Sequence, residues 1–242
     1  MERNNAAHFA LCSAHAYKDN ASTDFGDIGY DDVDFIDHQG AQCYLLSNDE
    51  EVALVFRGTE PKELSDIKAD LYAFQKDAKG QVGDVHCGFA GEVDKIFENL
   101  PDLKTKGKKF YIAGHSLGAA MATIAASRLQ ETHDITCLYT YGSPRVGDSK
   151  FVRNLNITHE RYKNNNDVVT SVPFTFMGYR HHGELKYINF YGNLRTMTFW
   201  QRVKDQLRGR WKAIKKRQLF DGIYDHDILD YARKIDKCGS GQ

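Results

Sequence analysis

The pentapeptide Gly114-His115-Ser116-Leu117-Gly118 constrains this chain more than any other feature, because its flanks are as specific as its core. Lys109-Phe110-Tyr111-Ile112-Ala113 precedes it, a short segment rich in strand formers. Ala119-Ala120-Met121-Ala122-Thr123-Ile124-Ala125-Ala126 follows, an alanine-dense run that reads as a buried helix. Strand, tight turn and helix are the context in which G-x-S-x-G becomes a nucleophile elbow. The turn strains the serine backbone, and small residues are required two positions to either side. The serine hydroxyl is then presented at the top of a sheet, above the positive end of a helix.

The rest of the chain supplies a sheet for such an elbow. An N-terminal helix is expected over 6–17. Two strands, Gln42–Ser47 and Glu51–Arg57, are joined by the turn Ser47-Asn48-Asp49-Glu50 and form an antiparallel hairpin. Phe89, Val93, Ile96, Phe97 and Leu100 recur with the helical period over Gly88–Leu100. The 109–113 strand and 116–130 helix come next. Strands follow at Ile135–Tyr141, Ile157–Lys163 and Leu185–Tyr191, with helices at 149–154, 198–217 and after Asp227. This alternation implies a mostly parallel sheet flanked by helices on both faces, an α/β class. The 242 residues contain no linker-like segment and are expected to form one domain.

A serine hydroxyl is a poor nucleophile at neutral pH and needs a histidine base, itself oriented by a carboxylate. The chain order Ser, Asp/Glu, His leaves His181, His182 and His226 as downstream bases. His226, in Tyr224-Asp225-His226-Asp227, lies on a loop at the start of the last helix and is preferred. His181 and His182 stand just before a strand and read as structural or surface residues. For the acid, Asp167 closes Asn164-Asn165-Asn166-Asp167 directly after the strand Ile157–Lys163, although an asparagine-rich surface turn looks the same. Its rival Asp148 reads better as the N-cap of the helix at 149–154. Oxyanion donors are expected from the Leu117 N–H and from Thr59 in Phe56-Arg57-Gly58-Thr59-Glu60, where Gly58 permits close backbone approach.

These residues belong to ordered blocks: FRGTE at 56–60, Ala69-Asp70-Leu71, VHCGF at 85–89, GHSLGAA at 114–120, YGSPRVGD at 141–148, NNNDVVTSVP at 164–173, YRHHGE at 179–184 and DHDILDY at 225–231. In that order they resemble the fungal-type class 3 lipase family of α/β-hydrolases. The resemblance implies Ser116 as nucleophile, Asp167 and His226 as its partners, and Thr59 and Leu117 as the oxyanion hole. It also implies Asp70 as the acceptor that fixes the Thr59 hydroxyl, and a short lid after the oxyanion loop. His86, His115, Arg145 and His181 look structural by the same likeness.

Two departures stand out. Secreted members commonly carry a signal and disulfides. Here Met1-Glu2-Arg3-Asn4-Asn5 has no charged-then-apolar pattern, so a cytoplasmic protein or a mature secreted form is expected. The five cysteines, Cys12, Cys43, Cys87, Cys137 and Cys238, are odd in number and scattered, which suits reduced, mostly buried thiols. The lid run Glu60–Lys68 is rich in charge, with only Leu64 and Ile67 as large apolar residues, so it has little apolar surface to expose to lipid.

The expected function is a serine carboxylic-ester hydrolase, a lipase acting on acylglycerol or related lipid esters, with neither metal nor organic cofactor. The alternatives are a phospholipase A1 or soluble short-chain esterase, and a catalytically idle lipid-binding or interaction module. Net charge is −1, yet residues 198–220 hold eight Lys/Arg against the single Asp205. Trp200, Val203, Leu207, Trp211 and Ile214 fall at spacings of three and four there, on one helical face. Such stripes ordinarily face inward, with the charges solvated. The other reading is peripheral contact with a lipid surface. Nucleic acid is not an expected partner.

Overall fold

The computed structural model describes residues 3–19, 21–58, 75–77, 82–215 and 224–239. Its centre is an eight-stranded sheet. The hairpin partners β2 (Ala41–Ser47) and β3 (Glu51–Phe56) are preceded by β1 (Asp32–His38), which pairs antiparallel to β2. β3 then runs parallel to β6 (Lys109–His115), followed by β7 (Ile135–Tyr141), β8 (His159–Asn164) and β9 (Glu184–Ile188), all parallel. The two-residue β10 (Leu194–Arg195) closes the far edge antiparallel. A separate two-stranded ribbon joins β4 (Gln75–Asp77) to β5 (Asp84–His86). The mostly parallel α/β-hydrolase sheet expected from the sequence is present.

Helices cover both faces. On one side α3 (Cys87–Asn99) and α4 (Leu117–Leu129) pack Phe89, Val93, Ala120 and Ile124 against Leu54, Phe110, Ile112 and Leu138. The five alanines of α4 are all buried, which lets the helix lie close to the sheet. On the other side α1 (Asn5–His15) and the last helix, α7 (Ile228–Gly239), pack Phe9, Ala10, Tyr231 and Ile235 against Tyr111, Ala113, Tyr139 and Tyr141. The strands are therefore buried on both faces, and β3 and β6 read as continuous apolar runs.

Boundaries differ from expectation where polar residues end an apolar run. The strand expected over Ile157–Lys163 begins at His159 and includes Asn164, whose N–H bonds the Tyr231 hydroxyl (2.8 Å). The strand expected over Leu185–Tyr191 stops at Ile188. The mixed strand β1 and the short α2 (Ser22–Asp27) were not legible. Asp148 caps α5 (Ser149–Asn154) as expected, accepting from the Phe151 N–H (2.7 Å). All five cysteines are free thiols, with Cys12, Cys43 and Cys137 buried. No helix among the described residues is long and apolar enough to cross a membrane.

The sequence left two readings of α6 (Phe199–Lys215), and the structure departs from the inward-facing one. Its apolar stripe does not turn inward: Trp200, Leu207 and Trp211 are 72 %, 58 % and 63 % exposed. The helix is held instead through Asp205 and Gly209, both buried. The Asp205 carboxylate supplies the reason, since it accepts from the Tyr187 hydroxyl and the Phe190 N–H at 3.0 and 2.8 Å. A charge-assisted pair of bonds outweighs the usual inward preference of the stripe.

Candidate active site at the strand ends

The C-terminal ends of β6 and β8 and the entrance of α7 bring the candidate residues to one place, as expected where parallel strands open onto loops. Ser116 follows β6 and caps α4 with φ 58° and ψ −126°, a strained conformation for a residue with a side chain. Its N–H donates to Tyr141 O (3.0 Å), pinning the elbow to β7. The glycines on either side are obligatory here. A Cβ on Gly114 would lie 2.4 Å from Gly118 O, and one on Gly118 would lie 2.3 Å from Phe56 O.

Three side chains line up from the elbow. Ser116 Oγ is 2.8 Å from His226 Nε2, and His226 Nδ1 is 2.9 Å from Asp167 Oδ2. All three residues are buried. With Nδ1–H donating to the carboxylate, Nε2 is left as the acceptor facing the hydroxyl, the arrangement that lets an imidazole take a serine proton. Asp167 is itself fixed, because its Oδ1 accepts from the Val169 N–H (2.9 Å) and its Oδ2 from the Tyr231 hydroxyl (2.6 Å). Asp148, occupied as a helix cap, is not part of this string.

The supporting groups were largely invisible in the sequence. Tyr231 accepts from the Asn164 N–H and donates to Asp167, so one hydroxyl ties the end of β8, Asp167 and α7 together. Burial, reinforced by the Asp167 charge, pushes the phenol well up, keeping the proton it donates. Gly142, at φ +60°, leaves room for the pair, since a Cβ there would sit 2.8 Å from Asp167 Oδ2 and from His226 Nδ1. His115 holds the backbone of His226, with Nε2 donating to His226 O (2.7 Å) and Nδ1 accepting from the Tyr17 hydroxyl (2.9 Å). Burial first and the neighbouring His226 second hold His115 well below the usual histidine range, so it is neutral. The only sequence signal for these residues was their place inside the YGSPRVGD, GHSLGAA and DHDILDY blocks.

Leu117 opens α4, and its N–H is among the helix-start donors that have no intrahelical acceptor. The chain after β3 passes directly against it, with Gly58 N 2.9 Å from where a Gly118 Cβ would lie. Thr59 and Asp70, and the lid run at 60–68, lie outside the described residues. The remaining candidates have structural partners. The Arg145 guanidinium donates to Ser171 O and Pro173 O, His181 donates to Thr170 O (2.9 Å), and His182 meets His159 (3.0 Å). His86 is buried and stacked on Phe89. Among the described residues no group of three or more His, Cys, Asp or Glu could hold a metal ion.

Comparison with known proteins points to lipases. Toxin TseL of Vibrio cholerae is 45 % identical over a match covering 58 % of this chain and 29 % of that protein. Secreted mono- and diacylglycerol lipase 1 of Fusarium solani is 37 % identical, over 40 % of this chain and 32 % of its own length. The chain thus spans about a third of the length of these curated relatives. The triacylglyceride lipase of Rhizomucor miehei shares the fold, with a TM-score of 0.63 and 24 % identity over 76 % of this chain and 79 % of that one. The family model for lipase (class 3) matches residues 53–177, a span that carries Ser116, Gly142 and Asp167, and the chain belongs to that family.

Proposed function

We propose that this chain is one α/β-hydrolase domain acting as a serine carboxylic-ester hydrolase on acylglycerols, through an acyl-enzyme. The observation that carries the reading is the unbroken string Ser116 Oγ, His226, Asp167 at 2.8 and 2.9 Å, buried at the strand ends. Ser116 attacks the ester carbonyl as His226 Nε2 takes its proton, and Asp167 stabilises the imidazolium that forms. The same proton passes to the leaving alcohol, and water activated by His226 then releases the fatty acid. The tetrahedral oxyanion is held by the Leu117 N–H at the positive end of α4, and the likeness in sequence alone assigns Thr59 as the second donor and Asp70 as its acceptor.

Acylglycerol as substrate is supported by family membership and by the mono- and diacylglycerol lipase activity that the Fusarium relative's name carries. Such esters are presented at lipid surfaces, and peripheral contact with one is part of this reading. The test is fatty-acid release from dispersed diacylglycerol by the purified chain and by Asp167→Asn. The variant is expected to fold normally and lose about three to four orders of magnitude in kcat. Turnover close to that of the unaltered chain would remove Asp167 from the mechanism.

A further inference from the structure

α6 is a helix turned inside out. Asp205, Gln206 and Gly209 form its attached face. Besides the Asp205 bonds, Gln206 Nε2 donates to Asn165 O (3.2 Å) and Asn166 Nδ2 donates to Gln206 O (3.2 Å). Gly209 fits where a Cβ would come within 2.6 and 2.7 Å of the Asn166 and Asn165 amides. The opposite face carries Trp200, Leu207 and Trp211, with Phe199 at its shoulder, also 62 % exposed. From Trp200 to Trp211 the stripe runs about 17 Å along the helix.

The charges follow the same plan. The helix holds six Lys/Arg and one acid, and that acid, Asp205, is turned inward and occupied. Lys204 and Arg208 fall on one side of the stripe and Arg210 on the other, all exposed. Exposed Tyr191 extends the apolar patch, with the Arg208 guanidinium 5.6 Å above its ring. Aromatic and leucine side chains on one face with cations beside them is the composition of a helix that lies in a lipid interface. Two copies meeting through this face would set like charges against each other, which favours an anionic partner over a second chain.

We infer that α6 docks the protein on anionic lipid surfaces, its tryptophans entering the headgroup layer and its cations meeting the headgroup phosphates. The inference rests on the lipid-ester reading above and adds how the site reaches its substrate. α6 is bonded to Asn165 and Asn166, the two residues before Asp167, so docking sets the strand-end site against the membrane. The helix also lies beyond residues 53–177, the span the family model matches.

The test is sedimentation of the full chain carrying Ser116→Ala with vesicles of non-hydrolysable ether lipids. Phosphatidylcholine alone is compared with phosphatidylcholine containing roughly one-third phosphatidylglycerol. Binding is expected only with the anionic lipid, and to weaken as salt rises from about 0.05 M to about 0.5 M. Lys204→Glu with Arg210→Glu is expected to weaken it roughly 25-fold or more, at about fivefold per cation lost. Trp200→Ser with Leu207→Ser is expected to abolish it. The same substitutions on the Ser116 chain should leave melting temperature and hydrolysis of a soluble short-chain ester unchanged, a readout that tests the hydrolase reading separately. Equal binding to both vesicles, or variants that bind as tightly as the parent, would overturn the inference. So would a Trp200→Ser, Leu207→Ser chain that changes oligomeric mass but still sediments with vesicles.

Discussion

Replacing Tyr231 by phenylalanine removes one oxygen from a fully buried site and should do more damage than its size suggests. The ring contacts survive, since Phe keeps the packing on His115 and Tyr141. Two bonds do not: the 2.6 Å donation to Asp167 Oδ2 and the 2.8 Å bond from the Asn164 N–H. A bond to a charged acceptor contributes about 1.5–3 kcal/mol, and an orphaned buried N–H costs about 1–3 kcal/mol. Because both share one hydroxyl the two do not simply add, and a net loss of about 2–5 kcal/mol is expected. Asp167 retains the His226 and Val169 bonds, so the acid stays in place but is held less firmly. That should lower kcat roughly 10- to 100-fold with little change in KM, against the far larger effect of Asp167→Asn. Urea unfolding gives the stability and steady-state hydrolysis of a soluble ester gives kcat. A loss under about 0.5 kcal/mol together with unchanged kcat would mean that the hydroxyl anchors neither Asp167 nor the end of β8.

Gly142→Ala sets a methyl 2.8 Å from both Asp167 Oδ2 and His226 Nδ1 at a φ of +60°, so kcat should fall by about 100-fold or more; unchanged kcat would show that the pair tolerates displacement. Asp148→Ala removes a helix cap and should cost about 1 kcal/mol in urea unfolding without affecting kcat, whereas a collapse in kcat would reopen the choice of acid. His115, His159 and His181 are held neutral by burial, well below their ordinary value of 6.5. The unfolded chain takes up their protons first, so this stability is present above pH 6.5 and is lost as pH falls below it. Three such protons give a slope of up to about 4 kcal/mol per pH unit, and urea midpoints that stay flat from about pH 6.5 to about pH 5 would contradict it.

What could be read from the sequence was whatever local chemistry dictates. The elbow was legible because a strained serine between glycines, with strand before and helix after, has few other uses. Asp167 was legible by its place after β8 and inside the NNNDVVTSVP block, whereas the bonds to Tyr231 and Val169 that distinguish it from a surface turn are made in space. Gly142 and Tyr231 carried no signal of their own, since a glycine after a strand and a tyrosine in a helix are ordinary until the fold brings both against Asp167. α6 was misleading for a related reason. Its period correctly predicted a helix, but which face turns inward was decided by partners for Asp205 and room for Gly209, neither visible in an apolar pattern. β1 escaped because its Asp-Val-Asp-Phe-Ile-Asp-His run lies at the sheet edge, mostly exposed, and lacks the apolar density of the central strands.

The proposed mechanism makes Ser116 an activated nucleophile. Its most direct test is a fluorophosphonate probe applied to the folded chain, with peptide mapping of the adduct. A single adduct on Ser116 is expected, formed far faster than on the urea-unfolded chain and strongly slowed in His226→Ala. A folded protein left unlabelled at Ser116, or labelled equally fast without His226, would contradict it.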